Sequence, residues 1–161
     1  MTRHASFAPV VDASTEKLIL GSLPGAASLA AGRYYAHPRN QFWRLVGAVI
    51  GADLAGLPYD ERLATLLRHR IGLWDVIADA ERAGSLDAAI RSHAPNDLQS
   101  LVASLPALRT IGFNGGTAAK IGRAQLGTLG ERYRLLTLPS SSPAHAARSF
   151  ETKLATWRLL V

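Results

Sequence analysis

KLILGSLPGAASL, residues 17–29, is the stretch that decides the fold, because a short apolar run leads directly into a turn rich in glycine and proline. An apolar run of four or five residues bounded by turn residues predicts a buried β-strand. The turn that follows contains Gly21, Pro24 and Gly25. We therefore expect a strand that ends in a tight loop, where a ligand can approach the backbone closely.

Apolar runs of this kind recur along the chain, and stretches of helical period separate them. The predicted strands are residues 17–21, 71–77, 108–113 and 134–138. The predicted helices are QFWRLVGAVIGA, DERLATLLRHR, PNDLQSLVASL, GTAAKIGRAQL and the C-terminal FETKLATWRLLV. This alternation indicates an α/β fold with a parallel sheet. A chain of 161 residues suits one such domain, over residues 1–161.

Composition excludes several classes of protein. No apolar run approaches the roughly 18 residues that span a bilayer, and the N-terminus lacks a secretory signal, so we expect a cytoplasmic protein with no membrane partner. The chain has no cysteine, which rules out disulfides, thiolate zinc sites and cysteine-held iron–sulfur clusters. The net charge is +6, and 15 of the 18 basic residues are Arg, which binds phosphate through a planar fork. This charge favours a nucleic-acid partner, although a high-GC genome would also enrich arginine.

Polar or glycine-rich loops follow the predicted strands. They are GSLPG at residues 21–25, NGGT at 114–117 and PSSSPAH at 139–145. In an open α/β sheet the ligand binds beyond the carboxyl ends of the strands, so these loops are expected to form the site, although each one alone is also explained as an ordinary turn. Ser142 and Pro143 suit the first positions of a helix. The free N–H groups at the start of such a helix would bind a phosphate, or the two residues would only cap the helix.

The segment RYYAHPRNQFW, residues 33–43, concentrates aromatic and polar side chains ahead of an apolar helix. Tyr35 is suited to stacking on a planar ligand, and the carboxamide of Asn40 to holding water or a base edge. Asn40 is equally suited to capping the helix. Asp75, near a strand end, is a second candidate polar group or a simple turn former. No second His or carboxylate lies at metal-ligand spacing around His37, so we expect no metal and no cofactor.

Four motifs, in order and spacing, resemble the uracil-DNA glycosylase superfamily: ILGSLPGAAS, YYAHPRNQFWRLVG, IGFNGGTAAK and LLTLPSSSPAHA. The chain looks most like the hypoxanthine-DNA (deoxyinosine) glycosylase branch and is similar to the mismatch-specific uracil/thymine-DNA glycosylases. The resemblance implies a three-layer α/β/α sandwich around a central four-stranded, mainly parallel sheet. It also implies a monofunctional DNA repair glycosylase that flips a deaminated base, hypoxanthine before uracil, out of double-stranded DNA and hydrolyses its N-glycosidic bond.

The resemblance assigns roles to individual residues. Leu23 replaces the Asp or Asn that usually positions the attacking water, so Asn40 is expected to be the catalytic residue, as in the hypoxanthine branch. The expected base-binding residues are Gly21, Ser22, Leu23, Pro24, Gly25, Tyr35 and Asn114. The expected DNA-binding residues are Ser140, Ser141, Ser142, His145, Arg148 and Arg39. The sequence does not fix the choice between uracil and hypoxanthine, because their polar edges are similar and the amide of Asn114 can flip to meet either.

Two functions of other classes remain open. Leu23 is compatible with a catalytically silent damaged-DNA binding protein, and the GSLPGAAS loop with a small-molecule nucleotide-binding α/β enzyme. A lyase needs an amine, and Lys17, Lys120 and Lys153 are the only lysines. None lies in the predicted pocket loops, and Lys120, a turn beyond Gly116, is the nearest. We therefore expect hydrolysis without strand cleavage, by a monomer.

Overall fold

The strands of the protein form two sheets, seen in a computed structural model that describes residues 3–81, 90–143 and 147–161. The strands are β1 (Arg3–Ala5), β2 (Lys17–Gly21), β3 (Ile71–Asp75), β4 (Ile77–Glu81), β5 (Arg91–Pro95), β6 (Thr110–Asn114) and β7 (Arg134–Leu138). The α-helices are α1 (Ala26–Ala31), α2 (Phe42–Ile50), α3 (Tyr59–Arg68), α4 (Leu98–Ala103), α5 (Gly116–Leu126) and α6 (Phe150–Trp157). Short 3₁₀ helices follow α5 and α6, at Gly127–Arg132 and Arg158–Leu160.

The larger sheet has the strand order β3-β2-β6-β7, and each neighbouring pair is parallel. In the register of these pairs, Gly21 lies opposite Asp75 and Asn114 lies opposite Leu138. The carboxyl ends of all four strands therefore meet at one edge of the sheet. The loops that leave this edge include the ones predicted from the sequence to form the site.

Helices cover both faces of this sheet. Leu18 and Leu20 of β2 pack in one apolar cluster with residues of α4 and α5. Ile19, between them, packs in the other cluster with residues of α2, α3 and α6. Alternate residues of a strand point to opposite faces, so β2 is buried on both sides. The predicted three-layer α/β/α sandwich with a central four-stranded parallel sheet is confirmed.

The second sheet was not predicted from the sequence. It is antiparallel, with the order β1-β4-β5. The predicted strand over residues 71–77 is in fact divided between the two sheets, because the chain leaves the parallel sheet after Asp75. The N–H groups of Val76 and Ile77 donate to the carbonyl oxygens of Gly21 (2.8 Å) and Ser22 (3.1 Å). These bonds hold the transition between the sheets against the loop after β2.

The first turn of the helix predicted to start at Ser142 and Pro143 would occupy residues 144–146, which lie outside the described residues. Pro143 lies in a turn, and the helix that follows among the described residues begins at Phe150. Its N-cap is Ser149, whose Oγ accepts a hydrogen bond from the N–H of Thr152 at 3.2 Å. A capping serine and acidic Glu151 in the first turn stabilise this start, which is where the sequence predicts the C-terminal helix to begin. The short helix α1 was also not predicted.

Candidate active site

A cavity opens at the carboxyl edge of the parallel sheet, where the loops after β2, β3, β6 and β7 converge. Its empty space, counted with the open mouth, is about 830 Å³. The residues that line it are Gly21, Ser22, Leu23, Pro24, Gly25, Ala26, Ala27, Ser28, Tyr34, Tyr35, His37, Asn40, Asp75, Asn114, Ser140, Ser141, Ser142 and Pro143. The structure thus brings together every residue predicted to bind the base, the predicted catalytic residue and the three loop serines.

The loop after β2 forms one wall of the cavity. Its residues Ser22 and Leu23 are buried, and the side chain of Leu23 belongs to the apolar cluster that contains Leu20 and Phe113. An isobutyl group that packs in the core neither accepts a proton nor orients water. The polar chemistry of the cavity must therefore come from other residues.

Asn40 lies on the cavity wall at the end of a compact turn, and its side chain is partly exposed. Its N–H donates to the carbonyl oxygen of His37 at 2.9 Å, and its Oδ1 accepts from the N–H of Phe42, also at 2.9 Å. Asn40 therefore orders the first turn of α2 and faces the cavity at the same time. A carboxamide oxygen has a second lone pair, and the Nδ2 group carries two further donors, so Asn40 retains capacity to hold a water molecule.

Tyr35 is held in an uncommon backbone conformation, with φ of 54°. Its ring stacks on Phe42 with centroids 3.9 Å apart and an interplanar angle of 14°. The indole N–H of Trp43 donates to its carbonyl oxygen at 3.2 Å. One face of the Tyr35 ring is thus already covered by Phe42.

Asn114 and Ser141 both line the cavity, are hydrogen-bonded to each other and are buried. The N–H of Ser141 donates to Oδ1 of Asn114, and Nδ2 of Asn114 donates to Oγ of Ser141, each at 2.9 Å. A backbone N–H can only donate, so it fixes which end of the amide faces it. The prediction that the Asn114 amide can flip to meet either base is therefore wrong. One N–H of Nδ2 and one lone pair of Oδ1 remain for a ligand.

Asp75 contributes a carboxylate to the same cavity and is only 3% exposed. A Cβ built on Gly21 would stand 2.7 Å from Oδ1 of Asp75 and 3.1 Å from the hydroxyl oxygen of Tyr35. A side chain at position 21 would therefore displace the Asp75 carboxylate or press on the Tyr35 hydroxyl. The sequence analysis leaves Asp75 as either a polar group of the site or a simple turn former. Its predicted position near a strand end is the feature that makes it a candidate for the site.

The electrostatic surroundings of the cavity act on Tyr34. Burial raises the pKa of the Tyr34 hydroxyl well above its usual range, and the charge of Asp75 raises it further. The hydroxyl donates to the carbonyl oxygen of Ala8 at 3.2 Å. Tyr34 therefore stays neutral at physiological pH.

The described residues that were predicted to contact DNA do not all lie at the cavity. The serine loop lies at the cavity, and the N–H of Ser142 donates to Oγ of Ser140 at 3.2 Å. Arg39 and Arg148 are exposed, and Arg148 lies with Ser140 on a second cavity next to the first. His145 lies outside the described residues.

The lysine that the structure places beside the site is Lys153 rather than Lys120. Lys120 is exposed on α5, whereas Lys153 is 2% exposed and lines the second cavity. The Nζ of Lys153 donates to Oε1 of Gln41 at 2.9 Å, and the N–H of Gln41 donates to the carbonyl oxygen of Ser141 at 3.0 Å. Burial lowers the pKa of Lys153. This chain of bonds ties the Asn40 turn to the serine loop.

The described residues carry neither a metal-ion cluster nor a membrane-spanning helix. Within residues 3–81, 90–143 and 147–161, no group of His, Asp or Glu is arranged to hold a metal ion. In the same part of the chain, no helix has the length and apolar character needed to cross a bilayer.

Comparison with known proteins gives consistent matches over nearly the whole chain. Residues 8–161 match the model of the uracil DNA glycosylase superfamily. The chain is 41% identical over 155 residues to the hypoxanthine DNA glycosylase of Methanosarcina barkeri, covering 96% of each protein. It is 45% identical over 139 residues to the hypoxanthine DNA glycosylase of Methanosarcina acetivorans, covering 86% of each. A solution NMR structure of a candidate uracil DNA glycosylase from M. acetivorans superimposes with a TM-score of 0.85 at 41% identity, over 99% of both chains.

Proposed function

The chain belongs to the uracil DNA glycosylase superfamily, and we propose that it is a DNA repair glycosylase that excises hypoxanthine from double-stranded DNA. The observation that carries the proposal is the cavity itself. Two carboxamides line it: Asn40, which is partly exposed, and Asn114, which is buried and held in one orientation by Ser141. The first is suited to water and sugar, and the second to the polar edge of a base.

Entry of the base is the first step. A base inside a duplex cannot reach the cavity, so its nucleotide must rotate out of the stack, at a cost of a few kcal/mol that mispairing lowers. The base then lies along the Gly21–Gly25 loop, against the ring of Tyr35. The remaining N–H of Asn114 is available to the base carbonyl, because the other is used by Ser141.

Cleavage of the glycosidic bond follows. The sugar becomes oxocarbenium-like and the departing base gains negative charge, which fixed donors stabilise. An amide is too weak a base to remove a proton early, so Asn40 orients the water that attacks the sugar carbon. The products are free base and an abasic site, with no covalent enzyme intermediate.

Release of base from defined duplexes tests the proposal. End-labelled duplexes with a single hypoxanthine, uracil or xanthine are incubated with the protein and then treated with hot alkali, which cleaves abasic sites. We expect cleavage with hypoxanthine first, and loss of at least a hundredfold in rate with Asn40→Ala. Gln99→Ala removes an amide on the exposed side of α4 and serves as the matched control.

Each outcome decides between the functions considered. Undiminished cleavage by Asn40→Ala would remove Asn40 from the mechanism. Tight binding of the damaged duplex without release of base would favour a silent binding protein. Binding of free nucleotide with no affinity for DNA would favour a small-molecule enzyme.

A further inference from the structure

Asp75 is the acidic side chain of the described cavity wall, and the mechanism above gives it no role. Its strand, β3, is the edge strand next to β2, and in the register of that pair Asp75 lies opposite Gly21. Oδ1 lies 2.7 Å from the point where a Cβ on Gly21 would stand, so the carboxylate reaches over the backbone of the base-binding loop.

The position of Asp75 is fixed by its surroundings. The amide of Asn96 donates to the carbonyl oxygens of Asp75 (2.7 Å) and Ile77 (3.2 Å), which holds the backbone on both sides of Val76. The N–H of Val76 is bonded to Gly21. A side chain carried by such a backbone is preorganised, as a recognition group must be.

The carboxylate and the two carboxamides that line the cavity differ in how far their side chains are buried. Asp75 is 3% exposed and Asn114 is 8% exposed, whereas the side chain of Asn40 is only partly buried. An extruded nucleotide enters with its base leading and its sugar behind. The buried pair therefore meets the edge of the base that lies farthest from the sugar, and Asn40 meets the sugar and its water.

Deamination changes that edge in a way that a carboxylate can detect. Adenine presents a bare acceptor at N1, whereas hypoxanthine is a lactam with an N–H at N1 and a carbonyl at C6. Cytosine and uracil differ in the same way at N3. A carboxylate can only accept hydrogen bonds, so it binds the lactam N–H and repels the lone pair of the undamaged base. A site that hydrogen-bonds a substrate N–H discriminates strongly against the analogue that lacks it.

We propose that the Asp75 carboxylate accepts the ring N–H that deamination creates, and so determines the preference for deaminated bases over their parents. The inference rests on the proposed function. In it the lactam N–H donates to the Asp75 carboxylate, and the remaining N–H of Asn114 donates to the neighbouring carbonyl oxygen of the base. The contacted nitrogen lies across the ring system from the glycosidic nitrogen. Guanine carries the same N–H, so its exclusion must come from the space around its amino group.

The test compares bases in the wild-type protein and in Asp75→Asn, Asp75→Ala and Asp60→Asn. Asp60 is an exposed carboxylate in the first turn of α3 and gives the matched control. Equilibrium binding is measured with duplexes that carry non-cleavable 2′-fluoro analogues of deoxyinosine or deoxyadenosine opposite thymine. Single-turnover release is measured with the corresponding cleavable duplexes. Thermal unfolding checks that each variant is folded.

We expect the ratio of deoxyinosine to deoxyadenosine binding to fall by about tenfold or more in both Asp75 variants, and to stay unchanged in Asp60→Asn. Asp75→Asn should bind the deoxyadenosine duplex more tightly than wild type, because its Nδ2 can donate to N1 of adenine. An unchanged ratio in folded Asp75→Asn would overturn the inference, and so would an equal loss with both duplexes. If the wild-type protein releases no base at all, the proposed function fails, while the binding ratio still decides the role of Asp75.

Discussion

Asn114 and Ser141 exchange two hydrogen bonds across 27 positions of sequence, one donated by the backbone of Ser141 and one by the amide of Asn114. The pair joins the end of β6 to the loop after β7 at the carboxyl edge of the sheet. It leaves Asn114 with a single orientation, so one donor and one acceptor position are presented to the cavity. An amide held in this way can meet only a ligand edge that offers the complementary acceptor and donor, whereas a free amide could turn to meet either pattern.

Asn114→Asp removes the proposed donor to the base and keeps the contacts with Ser141. The N–H of Ser141 can still donate to one carboxylate oxygen, and its hydroxyl can rotate to donate to the other, so the fold should be retained. The donor to the base carbonyl is lost. We expect single-turnover release of hypoxanthine to fall by about tenfold to a hundredfold, with little change in the thermal midpoint. A variant that keeps full activity would show that Asn114 supports the loop only.

Asn40 carries a structural and a proposed catalytic role, and two substitutions distinguish them. Asn40→Ala loses the bond from the N–H of Phe42, and should lower the free energy of unfolding by about 1 kcal/mol. Asn40→Asp keeps an oxygen acceptor at the same place and should retain wild-type stability. Urea unfolding followed by tryptophan fluorescence measures both. Equal stability of all three proteins would mean that the Asn40–Phe42 bond contributes nothing in solution.

The parallel sheet was predictable because its strands are continuous apolar runs. KLILG forms β2 with the predicted bounds, and RLLTL forms β7. The antiparallel sheet was missed because segments such as RHA and IADAE are short and contain few of the β-branched and aromatic residues that favour strands. They are strands only because they pair with each other, which is a tertiary effect that no local pattern records.

The site was predictable as a set of loops but not as a set of contacts. Parallel topology alone places the ends of β2 and β6 together, so convergence of Gly21 and Asn114 follows from the strand pattern. The stacking of Tyr35 on Phe42 and the bond from Lys153 to Gln41, 112 positions away, do not. Such contacts depend on how helices pack on the sheet, and a single sequence does not encode them in any local spacing.

Tyr34 should control stability at alkaline pH. Its pKa is raised in the folded protein, so above pH 10, the value for an ordinary tyrosine, the unfolded chain loses this proton while the folded chain keeps it. The free energy of unfolding then falls as pH rises, by about 1.4 kcal/mol per pH unit for one proton. Burial also raises the pKa of Tyr59, which contributes in the same direction.

Tyr34→Phe isolates the contribution of Tyr34. Urea unfolding between pH 8 and 12 should give a smaller fall above pH 10 for the variant than for wild type. Below pH 9 the two should differ only by the hydroxyl bond to Ala8, about 1 kcal/mol. Parallel curves across the whole range would contradict a raised pKa at Tyr34.

Lys153 is the lysine to examine for lyase chemistry, because burial lowers its pKa and it lines the cavity beside the serine loop. Its amine is nonetheless engaged by Gln41 and is 2% exposed, so we expect no Schiff base with the abasic sugar. Borohydride treatment of protein with hypoxanthine-containing duplex should trap no covalent complex. A trapped complex that persists in Lys120→Arg and disappears in Lys153→Met would instead make the enzyme a lyase.

Gly21 should not tolerate even a methyl group. The added Cβ would meet Oδ1 of Asp75 at 2.7 Å and the hydroxyl of Tyr35 at 3.1 Å, so Gly21→Ala must displace one of them. Overpacking of this kind costs about 1–3 kcal/mol, and we expect that loss in urea unfolding together with a fall in base release. Gly116→Ala, where nothing lies within 4 Å of the new Cβ, should not lower stability.

A double-mutant cycle identifies which neighbour resists the methyl group at position 21. If the carboxylate of Asp75 is the obstacle, Gly21→Ala should cost less stability in the Asp75→Ala background than in wild type, because the carboxylate that meets the added Cβ is then gone. The same cycle with Tyr35→Phe, which removes only the hydroxyl, measures the second contact. Equal costs in all three backgrounds would mean that the loop after β2 moves as a unit, and that the spacing between Gly21 and Asp75 is not fixed by contact.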